Sequence, residues 1–175
     1  MAGRVARWLV GAAVVAMVAT GCAQAPDNFA VVNGETISIR EVRSETEALN
    51  EELAKVGMEP TEVRDYGNVQ ILKVIGTDLA EERNLSFTGA QRDQLIKERG
   101  AEQLATAGPA AKRYTNDIAF LQLLLAEVGE QEFARAGEEA DVVLNPRFGS
   151  WGPGLQPGGS PLFQQAPPQP PANTQ

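Results

Sequence analysis

The chain contains a single cysteine, Cys22, so no disulfide can form within it and the fold must depend on its apolar core. The cysteine closes an apolar N-terminal stretch. Arg4 and Arg7 give this stretch a positive start, and residues 8–18 carry no charge. A basic start, a short apolar run and small residues before a cleavage point are typical of a secretory signal. The run is shorter than the roughly 20 residues that a membrane-spanning helix needs.

The Ala19-Thr20-Gly21-Cys22 sequence resembles the lipobox of bacterial lipoproteins. The resemblance implies cleavage between Gly21 and Cys22 and diacylation of the Cys22 thiol. The protein would then sit on the extracytoplasmic face of the cell membrane, held by a lipid anchor. Position 19 departs from the family, in which leucine usually stands three residues before the cysteine. The alternative is an ordinary signal peptide with a stray cysteine.

The charge of the chain limits its partners. Removal of residues 1–21 takes away two basic residues and no acidic one, so 13 basic residues face 23 acidic ones and the net charge becomes −10. Such a body should repel nucleic acid, because phosphate binding needs a basic surface. Anionic lipid headgroups should repel it as well, so membrane attachment is expected through the acyl chains alone.

The absence of histidine excludes several kinds of catalytic site. Without it the chain can build no Ser-His-Asp or Cys-His site and no Cys/His zinc site. Adjacent carboxylates are expected on solvated helix faces, although a metal or glycosidase pair built from them is an alternative. These pairs are Glu51 with Glu52, Glu81 with Glu82 and Glu138 with Glu139. We therefore expect no enzymatic activity, no cofactor and no metal.

The first third of the chain predicts a hairpin followed by two helices. Residues 29–32 and 35–37 are short apolar strands around Asn33-Gly34, a pair that favours a type I′ turn. Ser38 and Glu41 match a capping box, which predicts a helix that ends near Gly57. Thr61 is expected to cap a second helix that runs to about residue 84. Two glycines should weaken that helix by about 1 kcal/mol each, namely Gly67 and Gly76.

The remaining elements are predicted from caps and apolar runs. Thr88 and Gln91 form another capping box, and Pro109 suits the first position of a further helix. The run 118–125 is apolar nearly all round, so this helix should be central. Residues 127–139 should continue as an amphipathic helix. Residues 141–144 read as a strand that Asn145-Pro146 ends, and we expect it to pair with residues 29–32.

These elements define the predicted organisation. Residues 1–21 are a lipoprotein signal, 22–28 a tether, 29–152 one folded domain, and 153–175 a Pro-, Gly- and Gln-rich tail that is expected to be disordered. The domain should be mainly α, with four to five helices closed by a small sheet of its first and last strands.

Two segments, together with the string of four or five helices between them, carry a further resemblance. The segment Val31-Val32-Asn33-Gly34-Glu35-Thr36-Ile37-Ser38, followed by helices, resembles the start of the chaperone domain of the SurA and PrsA foldases. Asn145-Pro146-Arg147-Phe148-Gly149-Ser150-Trp151 is similar to the segment that closes lipoproteins of this kind in actinobacteria. The resemblance covers residues 29–152. It implies a SurA N-terminal-like helical domain that shields unfolded exported polypeptides.

One departure from the family is large. The full foldases insert a parvulin prolyl-isomerase domain with active-site histidines, and this chain has neither the length for that domain nor any histidine. Isomerase activity is therefore not implied. The leading hypothesis is a lipid-anchored holdase, and the alternative is a non-catalytic lipoprotein that docks one cell-envelope protein. Phe148 and Trp151 either fill the edge of the core or contact a client.

Overall fold

The computed structural model describes residues 27–151, and the predicted signal, the Gly21–Cys22 cleavage point and the tail lie outside them. Six helices and a small antiparallel sheet make up the described part of the chain. The strands are β1 (Asn28–Val32), β2 (Glu35–Ser38) and β3 (Val142–Leu144). The helices are α1 (Ile39–Lys55), α2 (Val63–Glu82), α3 (Gly89–Glu98), α4 (Glu102–Ala105), α5 (Pro109–Val128) and α6 (Glu130–Glu139).

The sheet has the order β2-β1-β3, so the first strand lies between a neighbour in sequence and the last strand of the domain. Ala30 stands opposite Leu144, and Val32 stands opposite Val142. The predicted pairing of the two ends of the domain is thereby confirmed. The pairing is economical because a strand as short as β3 needs a partner for its backbone groups.

Helix α5 is the centre of the helical layer, as the apolar run predicted. It packs against α1, α2, α3, α4 and α6, and Leu121 and Leu124 are among the most deeply buried residues. Pro109 occupies its first turn. Among the other expected starts, Thr88 forms the predicted capping box with Gln91, with both the backbone and the side-chain bonds present.

The predicted count of four to five helices was wrong, because the described residues form six. Residues 127–139 do not continue as one helix. Gly129 takes φ +83°, which ends α5 and lets α6 begin as a separate helix at Glu130. The short α4, four residues long, was not predicted.

Two predicted caps were also wrong, and backbone or tertiary contacts replace them. Ser38 precedes α1 without a side-chain bond, and the Ile39 N–H instead donates to the Asp27 carbonyl at 2.8 Å. Thr61 does not cap α2, which begins after Glu62. Its main chain is held by the Asn50 side chain through two hydrogen bonds of 2.7 and 3.0 Å.

Candidate functional site

The two segments that carry the family resemblance meet at the β1–β3 pairing. The Asn145 N–H donates to the Phe29 carbonyl at 2.9 Å, and the Asn33 N–H donates to the Asp141 carbonyl at 2.9 Å. These two bonds bracket the paired strands at opposite ends. We call the side chains of Asn33, Asn145, Phe148 and Trp151, together with the β1–β3 pairing, the closure site.

Asn33 does more than form a turn. Its φ of +49°, with +87° at Gly34, fits the predicted type I′ hairpin. Its side-chain Oδ1 also accepts the Asp141 N–H at 2.9 Å, and its Nδ2 donates to Asp78 Oδ2 at 2.6 Å. One amide therefore joins the hairpin to the start of β3 and to α2. The sequence pattern indicated the turn but held no sign of these partners, which lie 108 and 45 residues away.

Asn145 plays the corresponding part at the other end of β3. It is buried, and its Nδ2 donates to the Asn28 carbonyl at 2.9 Å. Its Oδ1 accepts the Arg147 N–H at 3.1 Å, which starts a short 3-10 turn over Pro146–Phe148. Asn145 thus satisfies the first backbone group of β1 while it turns the chain back over the sheet.

The turn places Phe148 and Trp151 at the edge of the core, where both are half-buried. The Phe148 ring lies on the Phe29 ring with centroids 4.6 Å apart. The Trp151 indole N–H donates to the Gly137 carbonyl in α6 at 3.3 Å. Both side chains therefore have structural partners in the folded domain, and each keeps part of its surface accessible.

A close contact with Phe29 explains why position 67 of α2 is a glycine. The completely buried Phe29 ring lies directly over its Cα, and a Cβ there would overlap three ring atoms. By helix propensity alone, Gly67 is a weak point of α2. The structure shows that it lets α2 approach the face of β1 closely, so the local loss in helix propensity permits a tertiary contact.

Glu52 corrects the expectation that the adjacent carboxylates are all solvated. Glu51 is exposed, but Glu52 is buried and its Oε2 accepts the Ala111 N–H at 2.6 Å. The N–H groups of a first helical turn lack intrahelical acceptors, so a carboxylate from α1 caps α5. Gly108 leaves room for it, since a Cβ at that position would collide with the carboxylate.

We expect the Glu52→Ala substitution to destabilise the domain by about 3 kcal/mol, because it leaves the Ala111 N–H buried without an acceptor. Glu52→Gln keeps an acceptor oxygen and should cost about 1 kcal/mol. Urea unfolding followed by fluorescence measures both in the chain from Ala23 onward, where Trp151 is the one tryptophan. Glu51→Ala is the matched control and should change stability by less than about 0.5 kcal/mol. Equal effects at the two positions would contradict the capping role.

The groups with displaced pKa values do not form an acid–base site for neutral pH. Tyr66 and Tyr114 stack with centroids 5.8 Å apart. Burial, with a smaller effect of Asp65, raises the pKa of Tyr114 to about 12, and burial also raises that of Tyr66. Both phenols therefore stay protonated. The Thr61 hydroxyl lies against Tyr114, which gives this side chain a partner other than the start of α2.

The surface of residues 27–151 offers few features of a ligand site. Met58 is the one exposed large apolar side chain within these residues, with 43% of its surface accessible. No group of three or more acidic side chains in this part of the chain has a geometry suited to a metal ion. Within the same residues, no helix is both long and apolar enough to cross a bilayer.

Comparisons with known proteins add no relative. No protein-family model, curated protein sequence or solved structure matches this chain significantly. The reading of its function therefore depends on its own residues.

Proposed function

We propose that this protein is a lipid-anchored extracytoplasmic holdase that binds unfolded or exported polypeptides and has no isomerase activity. The observation that carries the proposal is the convergence of its two family-like segments. The V-N-G hairpin and the N-P-R-F-G turn are hydrogen-bonded to the two ends of one strand pair through Asn33 and Asn145. This supports a SurA N-terminal-like domain in which both segments have a shared structural role.

The short tether supports a position at the membrane. Four residues lie between Cys22 and Asp27, and the five Cα–Cα steps of this stretch reach at most about 18 Å. A lipid on Cys22 would therefore keep β1 and the start of α1 near the headgroups. Clients emerging from the membrane would meet the domain at short range.

Client binding in this proposal uses half-buried apolar side chains around α3. This helix packs mainly against α5 and α4 and contributes a single buried residue, Ile96. Beside it, Phe87 contacts Phe120 edge-on with centroids 6.0 Å apart. Outward movement of a helix that buries a single residue would uncover these rings, because segments with few buried side chains open at low free energy.

One observation favours the alternative, a module that docks a single envelope protein. A holdase that recognises many clients needs an exposed apolar patch of several hundred Å², and residues 27–151 expose one large apolar side chain, Met58. A closed, acidic surface suits a specific partner with complementary charge. The two functions thus differ in whether α3 must move.

Light scattering with several unrelated aggregating proteins distinguishes the two functions. The chain from Ala23 onward, which retains every described residue, should suppress aggregation of all of them at a several-fold excess. Phe87→Ala should weaken the suppression. Met58→Ala, at an exposed position outside α3, should leave the suppression unchanged. No suppression of any client, together with one tight partner in a pull-down, would replace the holdase by the docking module.

Cys22→Ala should release the protein from the membrane fraction into the medium or leave an uncleaved precursor, because the thiol would carry the lipid. Fractionation and immunoblotting detect either outcome. Ser44→Ala, an exposed polar position in α1, serves as the control and should stay membrane-bound. Mature Cys22→Ala protein that remains on the membrane after a salt wash would refute lipid attachment at this residue.

The protein should not accelerate cis–trans exchange of a proline peptide, since the parvulin active site uses histidines and the sequence has none. A coupled protease assay with a heat-inactivated sample as the baseline measures this rate. Acceleration above that baseline would show that an isomerase site exists outside the family pattern.

A further inference from the structure

The Asn33-Gly34 turn also has a chemical property that neither its fold role nor the proposed function uses. It is the one Asn-Gly pair in the sequence. A peptide nitrogen can attack the side-chain amide of a preceding asparagine, and glycine hinders this attack least because it has no side chain. Asn33 and Gly34 are both exposed, so water has access to the turn.

The folded structure holds the Asn33 amide away from this reaction. Its Oδ1 is fixed by the Asp141 N–H at 2.9 Å, and its Nδ2 by Asp78 Oδ2 at 2.6 Å. Both partners lie on other elements, β3 and α2. The hydrogen bonds of Oδ1 and Nδ2 must both break before the amide group can turn its carbon toward the Gly34 nitrogen. The contacts of the closure site therefore protect the Asn33-Gly34 turn from this reaction.

We propose that Asn33 is a non-enzymatic deamidation site that becomes reactive when the closure opens. The Gly34 nitrogen bonds to Asn33 Cγ and forms a five-membered succinimide. The bond from Cγ to the side-chain nitrogen breaks, and ammonia leaves with the proton lost from the Gly34 N–H. Water then adds to one of the two ring carbonyls, and the ring opens to aspartate or to isoaspartate.

Either product opposes the original geometry. Aspartate places a carboxylate where an N–H donor met Asp78, so two like charges face each other at hydrogen-bond distance. Isoaspartate adds a main-chain carbon to the two-residue turn. The length of this turn sets the register in which β1 pairs with β2. An opening that lasts long enough for the reaction would thus become permanent.

Peptide mapping by mass spectrometry tests the protection. The chain from Ala23 onward is incubated at mildly alkaline pH, folded or in urea, and the conversion of Asn33 is followed. The folded protein should react at least about tenfold more slowly, the ratio being set by the free energy of local opening. Asp78→Ala should raise the folded rate several-fold, and Asp78→Asn, which keeps an acceptor oxygen, should stay near the original rate. Equal rates in the folded and unfolded chain, or no change with Asp78→Ala, would overturn the proposal.

Two variants at Asn33 test the consequence without waiting for the reaction. Asn33→Asp reproduces one product, and Asn33→Gly removes the amide without adding charge while still accepting a positive φ. Asn33→Asp should have the lower thermal midpoint of the two, with the difference shrinking in high salt. A midpoint equal to or above that of Asn33→Gly would show that the added charge does not act on the closure.

Discussion

Deletion of residues 141–175 is expected to unfold the domain or to expose enough apolar surface to aggregate it. The deletion removes β3 and the aromatic pair that follows it, so Phe29 loses Phe148 and β1 loses its bonds to Asp141 and Asn145. Four apolar side chains that belong to the core or pack against it are lost, namely Val142, Leu144, Phe148 and Trp151. The loss is on the order of 5 kcal/mol, which approaches the whole stability of a typical domain.

Deletion of residues 153–175 is the matched control. A segment of this composition buries little apolar surface, so this truncation should melt within a few degrees of the intact chain. Far-UV circular dichroism is the suitable probe, because the longer deletion removes Trp151. Cooperative melting of both truncations at the temperature of the intact chain would refute the structural role of the closure site. It would also weaken the proposal of a SurA N-terminal-like domain.

Gly67→Ala is expected to destabilise the domain by about 3 kcal/mol, although alanine favours a helix by about 1 kcal/mol over glycine. The added Cβ overlaps the Phe29 ring, which is completely buried and cannot move outward. Gly76→Ala should cost less, since its Cβ would meet the flexible ends of Leu121 and Leu124 at 3.1 Å. Urea unfolding of the original chain, Gly67→Ala and Gly76→Ala ranks these losses in the free energy of unfolding.

Gly137→Ala is the matched control for Gly67→Ala. A Cβ at this position in α6 has no neighbour within 4 Å, so the substitution should be neutral or stabilising by up to about 1 kcal/mol. The double variant Gly67→Ala with Phe29→Val should recover part of the loss relative to the sum of the single effects. Strict additivity would show that the Phe29 ring is not the cause.

These predictions bear differently on function. Unfolding by the longer deletion would show that the two family-like segments form one structural unit, and it would not distinguish a holdase from a docking module. That distinction depends on α3, which contributes one buried residue, Ile96, and follows directly after Phe87, the ring that contacts Phe120. The aggregation assay with Phe87→Ala therefore addresses function independently of stability tests at the closure.

The sequence by itself determined the features that depend on local conformation or on simple periodicity. Asn33-Gly34 indicated the hairpin because both residues accept positive φ, and Thr88 with Gln91 indicated a helix start because its bonds span three residues. The apolar run of α5 predicted its central place. The strand character of residues 142–144, next to a proline, likewise predicted β3 and where it ends.

Only the tertiary structure decided which polar groups meet across the chain. Glu52 and its neighbour Glu51 have the same local context, and the position of α5 alone buries one and leaves the other in water. Gly67 is unfavourable in its helix until the Phe29 ring lies over it. The Asn33 amide finds its partners on β3 and α2. Local propensity fixes such elements within a few residues, whereas hydrogen bonds and close contacts between distant segments follow from the packing of the whole domain.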